Sequence, residues 1–543
     1  MVTNKFISMK NKFKNIGFIF GMIALIFVAC DDDIDPVIEK FEFERAFTPV
    51  NLTARIRNMI TAELTWSVGD DVDHYVVEIA EDSLQFDPIL SSVDVALTEI
   101  PYSVLLKGET QYSARIKGVS NLGVEDSKWA TVVFKTDAEN IFNPLAGSDI
   151  GKTEVTLSWP AESEVTNFII STASVPDVRR DLTEAEVAAG EATLTGLAYG
   201  TEYGITMYNE PSPKQRGHVD FTTLPEGESL TPDMDLNEAI NTTFADQDVF
   251  LLEAGDYSKY TGVLTLNRSI KIKGVNSDDK PIVHVQFVLE QGAQNVEISN
   301  LEMEGSYTDT ETGEESILDY AFQMTESEVA YGSLNIIGNS IHNYNKSLIS
   351  AGSEVFEIED ITVSGCLIFD IYNDGGDFID SRKSYIANLL VTNSTFNNCA
   401  TVNARDFIRM DGGTKGNPYD EGSRTPSIEV SHCTFYNVMN SESSTKRLFY
   451  VRWSQHVITS GNNLFVDMGI SVYSNQSLTI QPECSGNNYY NADGYYTEAE
   501  SVLIDNSSNI TTLDPEFVDP AAGDFTITNQ TLLDNAVGDP RWR

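Results

Sequence analysis

Asn393-Ser394-Thr395-Phe396, His432-Cys433-Thr434-Phe435, Asn462-Asn463-Leu464-Phe465 and Asn487-Asn488-Tyr489-Tyr490 superpose as one repeating tetrad. Gly365-Cys366-Leu367-Ile368 and Asn339-Ser340-Ile341-His342 fit the same pattern more loosely. Counted at the second residue (340, 366, 394, 433, 463, 488), the steps are 26, 28, 39, 30 and 25. A period in the twenties is the length of one solenoid coil, and the step of 39 implies a loop inserted into one of them. The second residue is always small and polar, which suits an inward stack whose side chains bond to neighbouring coils. Cys366 and Cys433 fall two coils apart. At about 4.8 Å per coil that is too far for a disulfide, so both read as buried thiols.

Working outward, the region begins near residue 230. Asp233 to Thr242 has the spacing of a short amphipathic helix, with Leu236, Ala239 and Ile240 on one face. Strand-like runs follow at Asp248-Val249-Phe250-Leu251-Leu252 and Ser269-Ile270-Lys271-Ile272-Lys273-Gly274. A helix placed there would cap an otherwise open sheet edge.

The preceding 200 residues have another texture. Leu64-Thr65-Trp66, His74 to Ile79, Gln111 to Ile116 and Trp129 to Phe134 are short alternating strands with turn residues between them. That is the pattern of an antiparallel sandwich. It returns in Val155-Thr156-Leu157-Ser158-Trp159 and Gly200-Thr201-Glu202-Tyr203, closing near Phe221-Thr222-Thr223-Leu224-Pro225. Both modules resemble fibronectin type III domains. The resemblance implies that Trp66 is a core residue of the second strand. It also implies that Tyr112 is a tyrosine corner whose hydroxyl bonds nearby backbone. Neither module shows a catalytic constellation, and a spacer role is expected of both.

The N-terminus carries Lys5, Lys10, Lys12 and Lys14 ahead of an apolar run from Ile16 to Ala29. This is a signal peptide, too short to be a transmembrane helix. Phe27-Val28-Ala29-Cys30 resembles a lipobox, apart from Phe27 where Leu is usual, and implies lipidation at Cys30. Asp31-Asp32-Asp33 resemble the surface-export signal of Bacteroidetes lipoproteins. The expectation is a lipid-anchored outer-membrane protein exposed at the cell surface. Net charge agrees: 82 acids against 35 bases give −47, a surface that repels nucleic acid. The four cysteines besides Cys30 are too few for a disulfide framework, so stability must come from core burial.

The C-terminal region, through Gly538-Asp539-Pro540-Arg541-Trp542, resembles an uncharacterised β-helix family of Bacteroidetes surface proteins found with polysaccharide-utilisation systems. That family is related in fold to pectate lyases and chondroitinase-B-like lyases. The expected fold class is therefore all-β: two fibronectin type III-like sandwiches followed by a right-handed parallel β-helix. The expected divisions are 1–30 signal peptide, 31–36 tether, 37–137 and 141–225 sandwiches, and 230–543 β-helix.

Chemistry concentrates between Asp377 and Trp453. Asp377-Phe378-Ile379-Asp380-Ser381-Arg382 aligns with Asp406-Phe407-Ile408-Arg409-Met410-Asp411. Asp380 would then face Arg409, and Arg382 would face Asp411, as reciprocal ion pairs on the outer face. A third strand, Arg447 to Trp453, adds two more bases, its register open. From 381 to 452 there are nine bases and six acids, a local +3 in a strongly acidic chain.

Arg382, Lys383, Arg405 and Arg409, with Phe378 and Phe407 at outward parity, form the candidate polysaccharide-binding or catalytic face. Arginine forks grip carboxylates and aromatic faces stack on sugars. The competing reading is a structural charge ladder.

The resemblance implies either of two functions. One is a glycan-binding lipoprotein that takes an acidic, pectic polysaccharide and serves a glycan-uptake machinery. The other is a polysaccharide lyase cleaving uronic-acid polymers by β-elimination. A lyase needs the sugar carboxylate neutralised and a base beside it. Asp377, Asp380 and Asp411 are the candidate Ca²⁺ ligands, with Lys383 the candidate base. Every base near these acids can be paired, which favours binding.

Overall fold

The computed structural model describes residues 44–543, apart from 83, 174, 310–311, 374, 403–405, 413–418, 420–423 and 442–443. The signal peptide, Cys30 and the tether lie outside the described residues, as does Arg405. The described chain is built almost wholly of strands. None of its helices is long and apolar enough to cross a membrane. It divides into two compact units, with the boundary between residues 138 and 139.

The first unit is a seven-stranded sandwich. Thr53–Arg57, Thr61–Thr65 and Tyr102–Leu105 form one antiparallel sheet. The other runs in the order Ser91–Ala96, Val72–Ala80, Gln111–Ser120, Ala130–Lys135. Alternation of buried and exposed residues along Val72–Ala80 places Tyr75, Val77 and Ile79 between the sheets. Trp66, one residue past its strand, meets Tyr75 edge to face at 5.2 Å. The Tyr112 hydroxyl accepts a hydrogen bond from the Lys107 backbone N–H at 3.1 Å, the corner expected from the sequence.

The second unit opens with another sandwich. Its four-stranded sheet has the order Val175–Asp181, Asn167–Thr172, Glu202–Tyr208, Gln215–Thr222. Glu154–Ser158 pairs with Glu191–Thr195 opposite it. Trp159 packs edge to face on Phe168, and the Tyr203 hydroxyl accepts from the Ala198 N–H at 2.9 Å.

From residue 228 onward the strands pair in parallel, coil upon coil, apart from the small antiparallel pair Ser306–Thr308 and Glu315–Ile317. A ten-stranded sheet collects one strand from each coil in chain order, from Glu228–Leu230 to Glu483–Ser485. A fourteen-stranded sheet has two arms that meet at the long strand Ile282–Leu289. One full coil is thus Glu357–Ser364, Leu367–Phe369 and Ile379–Ser381. The next is Tyr385–Thr392, Thr395–Asn397 and Asp406–Met410. The long step in the repeat falls between Asp406–Met410 and Ser427–Ser431, and most of the expected inserted loop lies outside the described residues. The expected cap is present: Asp235 N-caps a short helical segment whose Leu236, Ala239 and Ile240 are buried.

The tetrad has a clear physical basis, with the register corrected by one residue at either end. Leu464 pairs with Asn488 and Ser340 with Leu367, so Asn487 and Asn339, not Asn488 and Ser340, join the stack. The stack is Asn339, Cys366, Ser394, Cys433, Asn463 and Asn487, every one fully buried. Each bonds backbone of adjacent coils. Asn463 Oδ1 accepts from the Cys433 N–H at 2.9 Å, and its Nδ2 donates to the Val430 carbonyl at 2.8 Å. Asn487 Oδ1 in turn accepts from the Asn463 N–H.

The residue before each of these is left-handed: Gly338, Gly365, Asn393, His432, Asn462 and Gly486. Gly and Asn tolerate that turn best, and it bends every coil at the same place. His432 is one of this series, bonded to Asn462, and is structural. Just inside, Phe396, Phe435, Phe465 and Tyr489 stack at 5.1, 4.9 and 5.3 Å. The four described cysteines are free thiols.

Candidate functional site

Three successive coils bring Ile379–Ser381, Asp406–Met410 and Arg447–Val451 side by side. Asp380 lies opposite Arg409, and Arg409 opposite Tyr450. The sequence alignment therefore had the strand register right. It also named the third strand, whose register is now fixed by Asp406 opposite Arg447.

The ion pairs differ from expectation. Asp380 is held by Arg382, just past its own strand, through two hydrogen bonds at 3.0 and 2.9 Å. Arg409 bridges Asp377 at 3.0 Å and Asp411 at 2.8 Å. Arg452 reaches the other oxygen of Asp411 at 3.0 Å, and Arg447 holds Asp406 at 2.5 Å. Directly opposed backbones in a parallel sheet put Asp380 and Arg409 in line, but Arg382 and Arg409 reach carboxylates two residues along the chain or diagonally, whereas Arg447 grips the acid directly opposite it. Arg409 and Arg447 also lie over the Tyr450 ring, at 5.0 and 4.5 Å.

The acids are not on the outer surface as expected. Asp377 is 0% exposed, and Asp380 and Asp406 are nearly so. The side chains of Arg382 and Arg452 retain 38% and 32% exposure. Buried carboxylates thus sit beneath arginines that meet the solvent. Burial pushes the Asp406 carboxyl up to about 6 against the pull of Arg447, and raises Asp380 despite Arg382. Burial pulls the Arg409 guanidinium down, but its bonds to Asp411 and Asp377 outweigh this and hold it above its usual value.

Two expectations are overturned here. Phe378 and Phe407 are fully buried, stacked on each other at 4.5 Å and edge-on to Phe396. In each coil two consecutive residues, Phe378-Ile379 and Phe407-Ile408, are buried, and neither ring can meet a sugar. The calcium ligands fail as well. Asp377, Asp380 and Asp411 are each engaged by arginine, and among the described residues no group of three or more His, Cys, Asp or Glu side chains is placed to hold a metal. Lys383 is exposed beside Arg382. Arg447 and Arg452, the two bases expected of the third strand, belong to the face together with Tyr450. A cleft of about 730 Å³ lies elsewhere, on the second sandwich beside Arg179, Asp181 and Glu210.

Arranged this way, the face offers guanidinium groups fixed in orientation by desolvated counter-charges. Arg382 donates Nε and Nη2 to Asp380. A guanidinium has five N–H donors, so donors remain for an anion at the surface.

Two family models match the solenoid. A domain of unknown function (DUF4957) matches residues 255–399, and a second (DUF5123) matches residues 428–542. No curated protein matches the chain in sequence. Among solved structures, a two-domain fibronectin type III segment of chicken tenascin is 16% identical, covering 32% of this chain and 98% of that one, with a TM-score of 0.22. The central fibronectin type III array of RIM-binding protein is 21% identical over 33% of this chain and 69% of that one, TM-score 0.13. Chicken contactin-1 domains FN1–FN3 are similar at 16% identity, with coverage of 32% and 66% and a TM-score of 0.15. Scores this low carry no argument; the sandwich folds rest on strand order and the two tyrosine corners.

Proposed function

We propose that the chain is a surface-exposed outer-membrane lipoprotein, tethered through Cys30, that binds an acidic, pectic polysaccharide for a glycan-utilisation system. In this reading the solenoid is a right-handed, pectate-lyase-like β-helix and the sandwiches are spacers. One observation carries the binding role: Arg382, Arg409, Arg447 and Arg452 are displayed on three adjacent coils, each oriented by a buried or half-buried aspartate. An extended face of fixed forks suits a chain of carboxylates, because the ordering cost is met during folding and not on binding.

The alternative, a lyase, draws no support from the face. Its metal ligands are occupied by arginine, and the aspartates are buried where a sugar ring cannot reach.

Binding of polygalacturonate to the mature chain tests the reading. Arg382 cannot simply be truncated, since Asp380 would be left buried and charged. Asp380→Asn with Arg382→Gln removes the pair together, and Arg452→Gln removes an exposed fork. The triple variant should melt within a few degrees of the wild type and bind at least tenfold more weakly, the loss of roughly 1.4 kcal/mol or more. Undiminished binding by a folded triple variant would make the face a structural ladder only. Appearance of the ultraviolet absorbance of unsaturated uronides would instead establish the lyase. Release of Cys30→Ala protein into the soluble fraction, and digestion of the wild type by protease on intact cells, test the tether and its orientation.

A further inference from the structure

The first sandwich exposes large apolar side chains at one end. Val50, Val68 and Leu122 are 60%, 49% and 64% exposed, and Phe47 is exposed beside them. They come from three separate segments that hydrogen bonds gather together. The Ser67 N–H donates to the Val50 carbonyl at 3.0 Å. The Phe47 N–H donates to Asp71 at 2.7 Å, and Asn121 Nδ2 donates to the Asp70 carbonyl at 3.1 Å. Hydration of such a cluster is unfavourable. The sandwich also exposes Leu84 and Leu105 elsewhere, so the position of the tether singles this end out.

This is also the end from which the N-terminal segment leaves. Glu44, the first described residue, is 14 positions after Cys30. Fully extended, that segment reaches at most roughly 50 Å, so an acyl chain on Cys30 keeps this end close to the bilayer. We infer that the end of the first sandwich bearing Val50, Val68 and Leu122 seats itself in the interfacial layer of the membrane that holds the lipid anchor. The inference rests on the lipoprotein reading for its tether. The tether supplies a high local concentration, so that weak apolar insertion suffices. Two signals, one acyl and one apolar, also give firmer anchoring than a single acyl group. Asp70, Asp71 and Glu125 lie around the same end and disfavour anionic lipid, so a neutral surface is preferred.

The test uses the full lipidated chain in phosphatidylcholine vesicles. An environment-sensitive fluorophore is placed at Leu122→Cys or, at the opposite end of the sandwich, at Leu84→Cys, both in a Cys484→Ser background. With brominated lipid, the probe at 122 should be quenched several-fold more than the probe at 84. Equal quenching, or a probe at 122 already shielded without lipid by this chain or a second copy, overturns the inference. A second arm needs no acyl group. Cys30→Ala protein should co-sediment weakly with excess neutral vesicles, less with anionic ones, and Val50→Ser/Val68→Ser/Leu122→Ser should abolish it. Identical sedimentation of the two proteins also overturns the inference. Mass spectrometry of Cys30 reports separately on the tether, so its failure is distinguishable from failure of the apolar end.

Discussion

Asp406 is the residue in which the character of the face is most concentrated. It is buried, bonded to Arg447 through one oxygen, and its other oxygen has no hydrogen-bond partner among the described residues. Its folded pKa, about 6, lies above the ordinary value of 3.8. The native state therefore binds the proton more tightly than the unfolded state. The stabilising contribution of the protonated form is complete below about pH 4 and is lost as pH rises through 6. It amounts to at most roughly 3 kcal/mol. Carbon-13 shifts of the Asp406 carboxyl should show a midpoint near 6, and Asp406→Asn should flatten the stability profile between pH 4 and 6. A midpoint near 4 would contradict this.

The thiols make an opposite case, in which burial silences chemistry. Desolvation pushes Cys366 up to about 11, Cys399 and Cys484 up to about 12, and Cys433 higher still. In Cys30→Ala protein at pH 8, a disulfide reagent should find only Cys484, partly exposed, and that slowly; the other three should react only after unfolding. Rapid titration of more than one thiol in the folded protein would show that the coils open.

At the scale of the element, the repeating unit is a coil held by one side chain. Asn463 satisfies two backbone groups of the preceding coil at once, the Cys433 N–H and the Val430 carbonyl. Asn463→Ala leaves both buried without partners and should cost roughly 2–4 kcal/mol, measured as a shift of the urea midpoint without change in slope. Ser394→Ala, which loses bonds to the Cys366 N–H and the Thr392 carbonyl of a shorter side chain, should follow the same direction. A neutral Asn463→Ala would mean that the turn before it, not the ladder, holds the coils.

At the scale of the whole molecule, charge governs how a polyanion approaches. The net charge of −47 repels it over distances set by the Debye length, whereas the arginine contacts act only at the face. Affinity for polygalacturonate should rise as salt increases from a few millimolar and fall again once the direct contacts are screened. Affinity that falls monotonically would indicate that the local positive field dominates the acidic background.

Much of the architecture was determined by sequence alone. The spacing of the Asn-Ser-Thr-Phe tetrads dictates coils, because a left-handed Asn or Gly can recur at one turn only if the coils share a length. The paired Trp and Tyr anchors dictate two sandwiches, since alternating strands must bury one face. Even the alignment of Asp380 with Arg409 was legible, because parallel strands of equal pattern pair in register. Tertiary structure alone decided which carboxylate each arginine grips, since guanidinium reach of several ångströms spans more than one residue of the ladder. It alone decided that Phe378 and Phe407 are buried, because two consecutive buried residues in each coil, Phe378-Ile379 and Phe407-Ile408, depart from strand parity. The burial of Asp377, Asp380 and Asp406 beneath the arginines arises from the same cause: depth is a property of the packed coil, and a pattern of charges along a strand carries no record of it.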